Sequence, residues 1–148
     1  MRQELPGKAM NGLKLAIGGD AVPWGRPGAT TRGGHARLYE KAGPREYKTA
    51  CRWTALEAMK GRPLFDGPLQ VTIDIYRMIP KSFSAKKRQL AIERRIFPIT
   101  KPDAENYAKL LLDAMNKTVY VDDARVVALL ARKFYAEKPR VDILVERL

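Results

Sequence analysis

The sequence contains a single cysteine, Cys51, and a single histidine, His35, among its 148 residues. One cysteine cannot form a disulfide bond within the chain, and the two residues together cannot supply the Cys/His ligands of a zinc cluster. Catalysis by a Cys/His or Ser/His pair is also disfavoured, because only one histidine is available as a base. We therefore expect both residues to pack locally or to lie in solvent.

Long hydrophobic runs are also missing. No stretch approaches the roughly 20 apolar residues that a membrane-spanning helix needs. The N-terminal segment lacks a continuous apolar region followed by a small-residue cleavage site, which a secretory signal would have. The chain shows no internal repeat and no low-complexity linker, and its length fits one domain. These features predict a single domain over residues 1–148, located in the cytoplasm and without a membrane partner.

Acidic residues are too few to balance the basic ones. The chain has 28 Lys and Arg against 16 Asp and Glu, a net charge of +12. Such an excess favours a polyanionic partner, most often nucleic acid. The segment 77–101 alone holds eight basic side chains and one acid. From this segment we predict contacts to backbone phosphates by Lys81, Lys86, Lys87, Arg88, Arg94, Arg95 and Lys101.

The charge bias reverses in residues 103–123, which hold five acids and two lysines. Acids at this place would repel DNA phosphates unless a divalent cation lay between them, as in metal-dependent phosphodiester cleavage. A simpler alternative is that the acids only cap a helix and form a turn. Thr100 and Asp103 match a capping pattern, and Asp122 and Asp123 suit a tight turn. Spacing alone leaves both interpretations open.

The spacing of Asp103 and Glu105 sets a condition on the helix that follows. In a regular helix their side chains would be about 200° apart, so they can share an ion only if the helix begins at or after Asp103. Pro102 favours this start, because proline is tolerated only in the first helical turn. Glu105 and Lys109 then lie one turn apart on one helix face. A third acid must come from elsewhere, and the Asp-Asp turn offers one.

Hydrophobic periodicity and turn residues predict both strands and helices. Strands are predicted at 13–17, 69–78, 126–135 and 141–146, with β-forming residues also at 118–121. The last two strands are predicted to form a terminal hairpin. Helices are predicted at 45–60, 85–95 and 104–115, the second capped by Ser82 or Ser84 and the third stopped at Asn116. Residues 22–39 are rich in glycine and proline, which predicts a mobile basic loop.

The run KPDAENYAKLLLDAMNKTVYVDDARVV, residues 101–127, resembles the signature of RusA-type Holliday junction resolvases. The shared features are an acid-x-acid-Asn start, a lysine four residues after the second acid, a helix containing Leu-Asp-Ala, and an Asp-Asp turn. The basic segment 79–103 and the Gly/Arg-rich loop 24–39 are similar in character to those of phage-borne members. The resemblance covers most of the chain, and its most specific part is the C-terminal third.

This resemblance implies a small RusA-like α+β fold, a mixed sheet packed with helices. It also implies a homodimer that nicks opposed strands of a four-way junction. It implies that Asp103, Glu105 and Asp123 bind Mg²⁺, for which Mn²⁺ can substitute, and that Lys109 is catalytic with them. Glu105 departs from the family, which usually has Asp there, and its side chain is one methylene longer. A non-catalytic DNA-binding protein and a nuclease for flaps or forks are the alternatives.

Overall fold

The computed structural model describes residues 12–26, 28–39 and 41–148. Its helices and strands are β1 (Gly12–Gly18), β2 (Gly28–Thr30), β3 (Arg37–Tyr39), α1 (Ala42–Met59), β4 (Leu69–Met78), α2 (Ala85–Ile92), α3 (Ala104–Met115), β5 (Val126–Ala136) and β6 (Arg140–Arg147). Four strands form a mixed sheet in the order β1-β6-β4-β5, and β2 and β3 form a separate two-stranded sheet. The predicted α+β class is confirmed.

Strand β4 lies at the centre of the fold. It pairs antiparallel with β6 on one side and parallel with β5 on the other. Its alternating side chains Leu69, Val71, Ile73 and Ile75 are fully buried, and they join one hydrophobic cluster with residues of α1 and α3. The alternation is typical of a sheet with one face covered by helices. The sheet therefore carries both helices on one face.

The predicted terminal hairpin is wrong. Both strands exist, but β4 lies between them, so β5 and β6 do not pair with each other. The reason is burial, because β4 has four fully buried apolar residues and gains most from the central position. Strand β5 leaves Val127, Leu129 and Leu130 about half exposed or more and occupies the edge.

Two further predictions are corrected. Residues Gly28–Tyr39 do form regular structure, because β2 and β3 pair antiparallel. Gly33 and Gly34 have φ of 80° and 79° in the connection between them, a conformation that glycine adopts without strain. Residues 118–121 do not form a strand. Their only described pairing is through Tyr120, which bridges to Phe65 and Asn116.

The bounds of α2 and α3 follow from the residues that cap them. In α2, Ser84 is the cap, since its hydroxyl accepts from the Lys87 backbone N–H at 3.2 Å. This helix ends at Ile92 instead of residue 95, and Arg94 adopts a left-handed φ of 59°. Helix α3 has the predicted bounds, with Asn116 as its C-cap.

The scarce residues take structural or surface positions. Cys51 on α1 is 2% exposed, and burial raises the pKa of its thiol to about 12, so the thiol is protonated and unreactive at neutral pH. His35 lies exposed near β3. In the described parts of the chain no helix is long and apolar enough to cross a membrane. Residues 1–11, on which the expectation about a signal region rests, lie outside the described residues.

The central position of β4 predicts a large effect on stability. Replacing fully buried Ile73 with Ala should lower the free energy of unfolding by about 2–5 kcal/mol, because it leaves a cavity in a packed core. Replacing Ile99, which is 91% exposed, with Ala should change it by less than about 0.5 kcal/mol. Urea denaturation followed by circular dichroism measures both. Equal effects of the two variants would contradict the assignment of β4 to the core.

Candidate metal and nucleic-acid site

Helix α3 begins where the spacing of Asp103 and Glu105 requires, directly after Asp103. Asp103 is the N-cap of α3 with extended backbone (φ −68°, ψ 149°), and the helix begins at Ala104. The Asp103 carboxylate makes no capping hydrogen bond to the helix. It accepts instead from the Lys101 ammonium, with Nζ at 2.9 Å from Oδ1 and 3.0 Å from Oδ2. Asp103 therefore occupies the N-cap position of α3 without a capping hydrogen bond from its side chain.

Glu105 and Lys109 lie on the exposed face of α3. Glu105 is in the first turn and Lys109 one turn later, and both are exposed. The Lys109 ammonium lies 3.7 Å from the centre of the Trp24 ring, a cation–π contact. The Trp24 backbone N–H donates to the Asn106 carbonyl at 2.8 Å. The segment after β1 therefore packs beside these two side chains, a placement that sequence reasoning missed.

Two cationic side chains hold the backbone that leads into Asp103. The Lys133 ammonium donates to the carbonyls of Thr100 at 2.9 Å and Pro102 at 3.0 Å. The Arg77 guanidinium donates to the carbonyl of Lys101 at 3.3 Å. Three consecutive carbonyls directly before Asp103 are thus bound by residues of β4 and β5. We call Arg77 and Lys133 the carbonyl clamp.

The clamp follows from the pairing of β4 with β5. Lys133 is in register with Ile75, so Arg77, two residues further along β4, is its diagonal neighbour on the same sheet face. Burial lowers the pKa of the Lys133 ammonium, nearby Arg77 lowers it further, and Asp103 raises it. A signal was present in the sequence, because Lys133 occupies an inward position of a predicted strand. Lysine is rare at such positions unless it is paired.

Asp123 lies elsewhere on the molecule. It starts a short 3₁₀ turn before β5 and is exposed. Its charge acts on Tyr120, whose pKa is raised by burial first and then by Asp123 and Asp113. The Tyr120 hydroxyl donates to the Leu112 carbonyl at 2.7 Å, in the last turn of α3. Asp123 is therefore near the C-terminal end of α3, whereas Asp103 lies at its N-terminal end. A twelve-residue helix is about 18 Å long, which separates the two acids.

The structure thus brings Asp103, Glu105 and Lys109 together at the start of α3 and does not bring Asp123 to them. Within the residues that the structure describes, no group of three His, Cys, Asp or Glu side chains could hold a metal ion. The two carboxylates at the start of α3 are nevertheless the oxygen donors that Mg²⁺ takes. Mg²⁺ is commonly held by one or two carboxylates, waters and substrate phosphate. The donor chemistry of this pair fits that ion.

In the basic segment 77–101, some side chains are free and others contact residues of the same chain. Lys81, Lys86 and Arg95 are exposed, whereas Lys87 lies 4.3 Å from the Phe83 ring centre and Arg88 is 3.8 Å from Glu137. The first three side chains are therefore the most available to a phosphate backbone.

Arg94 has a structural role. Its guanidinium lies 4.4 Å from the centre of the Phe134 ring and donates to the Tyr76 hydroxyl at 3.0 Å. These contacts cover the stacked rings of Tyr76 and Phe134, which lie on the sheet face opposite α1 and α3. Four of the predicted phosphate ligands thus have partners within the chain: Lys87, Arg88, Arg94 and the Asp103-paired Lys101.

An open groove of about 450 Å³ lies on that opposite face of the sheet. The ion pair of Arg132 and Asp74, with N–O distances of 2.7 and 2.9 Å, crosses it. Neither Asp103 nor Glu105 lines the groove. The candidate metal site at Asp103 and Glu105 is therefore on the side of the sheet that carries α1 and α3.

A strongly basic α+β domain with exposed carboxylates at one helix start, preceded in the chain by an exposed basic segment, defines a class of proteins that act on nucleic acid. Comparison with known proteins narrows the class. The profile of the family described as Endodeoxyribonuclease RusA matches residues 19–146, so the chain belongs to the RusA endodeoxyribonuclease family, enzymes that hydrolyse phosphodiester bonds of DNA. A Bacillus subtilis (strain 168) protein described as "Uncharacterized protein YqaN" is 36% identical over 143 residues, covering 94% of this chain and 99% of that protein.

The carbonyl clamp predicts a local effect of losing the Lys133 ammonium. Lys133→Met should increase hydrogen exchange at the backbone amides of residues 103–107 and lower stability by about 1–2 kcal/mol, because two carbonyls lose a charged donor. Exchange measured by mass spectrometry and thermal unfolding test this. Lys138→Met, at an exposed position, is the control. Unchanged exchange at residues 103–107 would contradict the clamp.

Proposed function

We propose that this protein is a Mg²⁺-dependent endonuclease that resolves Holliday junctions by paired cuts during DNA recombination and repair. It would act as a homodimer in the cytoplasm of a bacterial host, with a phage or prophage origin, and Mn²⁺ would substitute for Mg²⁺. The single observation that carries the proposal is Asp103, an exposed N-cap carboxylate that does not cap its helix. Family membership supports the substrate class.

Asp103 and Glu105 would hold the ion. Asp123, the third ligand that the resemblance implies, lies near the C-terminal end of α3, so within one chain it would not share the ion with them. Bound by Asp103 and Glu105, Mg²⁺ would lower the pKa of a water and polarise a phosphoryl oxygen. The two carboxylates would fix the position of the ion and balance part of its charge. In the absence of an ion, Lys101 neutralises Asp103, and its side chain is 84% exposed, so it can leave that carboxylate at little cost and contact a phosphate.

Lys109 would stabilise the negative charge that develops on the phosphoryl oxygens. It shares a helix face with Glu105, one turn away, and its ammonium is exposed. Trp24 restricts where this ammonium can lie, since the ring contact at 3.7 Å holds one side of it. A charge placed in advance stabilises a transition state without reorganisation.

DNA affinity would come from Lys81, Lys86 and Arg95, with help from Lys87 and Arg88. Contacts of this kind go to phosphates and carry no sequence information. A four-way junction would thus be recognised by its shape and charge.

Removing the Asp103 charge tests the proposed activity. Asp103→Asn should reduce cleavage of a synthetic four-way junction by at least about 100-fold while junction binding in Ca²⁺ stays within about threefold, because a metal ligand is lost and the basic surface is kept. Gel assays of cleavage and binding measure the two quantities. Glu57→Gln, an exposed acid on α1, is the matched control.

The outcomes separate the alternatives. If Asp103→Asn cuts as well as the parent, the metal-site proposal is wrong. If the parent binds junctions but cuts none in Mg²⁺ or Mn²⁺, it is a DNA-binding protein. Equal cutting of flaps, forks and junctions would indicate a general branched-DNA nuclease.

The free basic side chains predict a salt effect. Lys86→Ala and Arg95→Ala should each weaken junction binding several-fold for all sequences and reduce the slope of log K against log salt by about 1, because each removes one phosphate contact. Lys14→Ala, on β1 at the other edge of the sheet, should change neither. Fluorescence anisotropy over a salt series measures the slopes. An unchanged slope for both variants would place the DNA on another surface.

A further inference from the structure

Strands β2 and β3 form a small ribbon, residues 28–39, that is separate from the main sheet. The two strands pair antiparallel with each other, and neither joins the four-stranded sheet. Residues 33–38, which include the turn and most of β3, are all exposed. A lone two-stranded ribbon is only marginally stable in water. This β2–β3 ribbon therefore gains most from a partner outside the chain.

The base of the ribbon is fixed beside the start of α3. The Trp24 backbone N–H donates to the Asn106 carbonyl at 2.8 Å, in the first turn of α3 that also carries Glu105. A side-chain carbon at Gly25 would lie 3.1 Å from the Pro44 ring, so the backbone there runs close against the start of α1. The ribbon begins three residues later. It is therefore attached next to the candidate metal site.

The ribbon and the basic segment 77–101 start from the same end of the main sheet. Gly18, the last residue of β1, is level with Arg140, and Arg140 is level with Tyr76 near the end of β4. The chain leaves β1 towards the ribbon and leaves β4 towards the basic segment. Both parts also contact the start of α3, the basic segment through the carbonyl clamp and the ribbon through Trp24. Two parts of the chain thus meet where the exposed acids lie.

The charge of the ribbon and its base suits a polyanion. Residues 21–39 contain Arg26, Arg32 and Arg37 and no acid. Arg26 and Arg37 are exposed, and among the residues that the structure describes neither takes part in an ion pair. Unpaired arginines of this kind are available to DNA phosphates, whose counterions they displace.

One face of the ribbon is apolar and open to solvent. Ala29 and Leu38 are directly opposite each other in the ladder, so they share a face. Both are exposed, and Leu38 is 77% exposed. Apolar side chains of this kind contact the methyl group of thymine in the major groove. The ribbon therefore combines cations for phosphates with an apolar pair for base edges.

The dimensions of the ribbon fit a DNA groove. The major groove is about 12 Å wide and admits a two-stranded β-ribbon. Three strand residues and a 3₁₀ turn give the ribbon a reach of about 10–16 Å. That reach equals roughly three to five base pairs at about 3.4 Å each. Gly33 and Gly34 at the tip have no side chains that would widen it.

We propose that the β2–β3 ribbon lies in the major groove of the duplex arm next to the cut, with Arg26 and Arg37 on its phosphates. The inference rests on the proposed function, since it takes branched DNA as the partner. It adds a second DNA-contacting surface, attached to α3 at Asn106 and distinct from the basic segment 77–101. The junction is then held on duplex DNA beside the acids as well as by the basic segment.

The first experiment measures the contribution of the two arginines to binding. The double variant Arg26→Ala/Arg37→Ala should weaken binding of a four-way junction in Ca²⁺ at least about fivefold and reduce the slope of log K against log salt by about 2, because two phosphate contacts are lost. The double variant Lys14→Ala/Lys60→Ala removes the same charge from exposed positions on β1 and at the end of α1 and should leave the slope unchanged. Fluorescence anisotropy over a salt series measures both.

The second experiment locates the ribbon on the junction. Cys51 is 2% exposed and its pKa is about 12, so the exposed position of His35→Cys supplies the reactive thiol for a photoactivatable azide. Crosslinks should fall on a duplex arm within about five base pairs of the cut. Glu57→Cys, at an exposed position on α1, carries the same azide as the control and should not give them.

The groove is tested by methylation of guanine N7, which lies in the major groove. The parent should protect guanines within about five base pairs of the cut. A shortened chain, in which two glycines join Gly28 to Tyr39, should lose this protection. The link fits because these residues are in register, with Cα atoms about 5 Å apart. Circular dichroism shows that the shortened chain is folded, and the double arginine variant tests the same surface without a deletion.

The results separate the inference from the function on which it rests. If the parent cuts junctions but the double arginine variant binds with parental affinity and slope, the inference is wrong and the proposed function stands. Crosslinks away from the duplex arm, or an unchanged protection of guanine in the shortened chain, also overturn the inference. If the parent cuts no junction in Mg²⁺ or Mn²⁺ while the arginine variant loses affinity, the proposed function fails and the ribbon is still a DNA-binding element.

Discussion

The parallel pairing of β4 with β5 is the contact on which the candidate site depends. It sets Lys133 level with Ile75 and diagonal to Arg77, and these two cations then reach the three carbonyls before Asp103. The acid is consequently attached to the most buried strand of the protein through one layer of hydrogen bonds. A single-residue slip in this pairing would turn Lys133 to the opposite face and release the segment.

The site's own helix was predictable from sequence because its signals are local. The periodicity of α3 predicted its bounds, Asn116 marked its end, and Pro102 indicated that Asp103 precedes the first turn. These features depend on neighbouring residues only. The identity of the acids as ligands came from resemblance to a family and is still a proposal.

Strand partners were not predictable in the same way. The alternation in residues 126–135 and 141–146 predicted two strands, and the short connection suggested a hairpin, but period 2 does not say which strand lies beside which. The greater burial of β4 decided the order. The carbonyl clamp was missed for the same reason, since it joins residues 24 to 33 positions apart.

The clamp also affects the thermodynamics of ligand binding. Fixing the backbone of one residue costs about 1–2 kcal/mol in conformational entropy. Because residues 100–102 are already held by the sheet, that loss occurs when the chain folds and not when a ligand arrives. Any ion or phosphate that meets Asp103 therefore encounters a preorganised segment, and its affinity is not reduced by the need to order that segment.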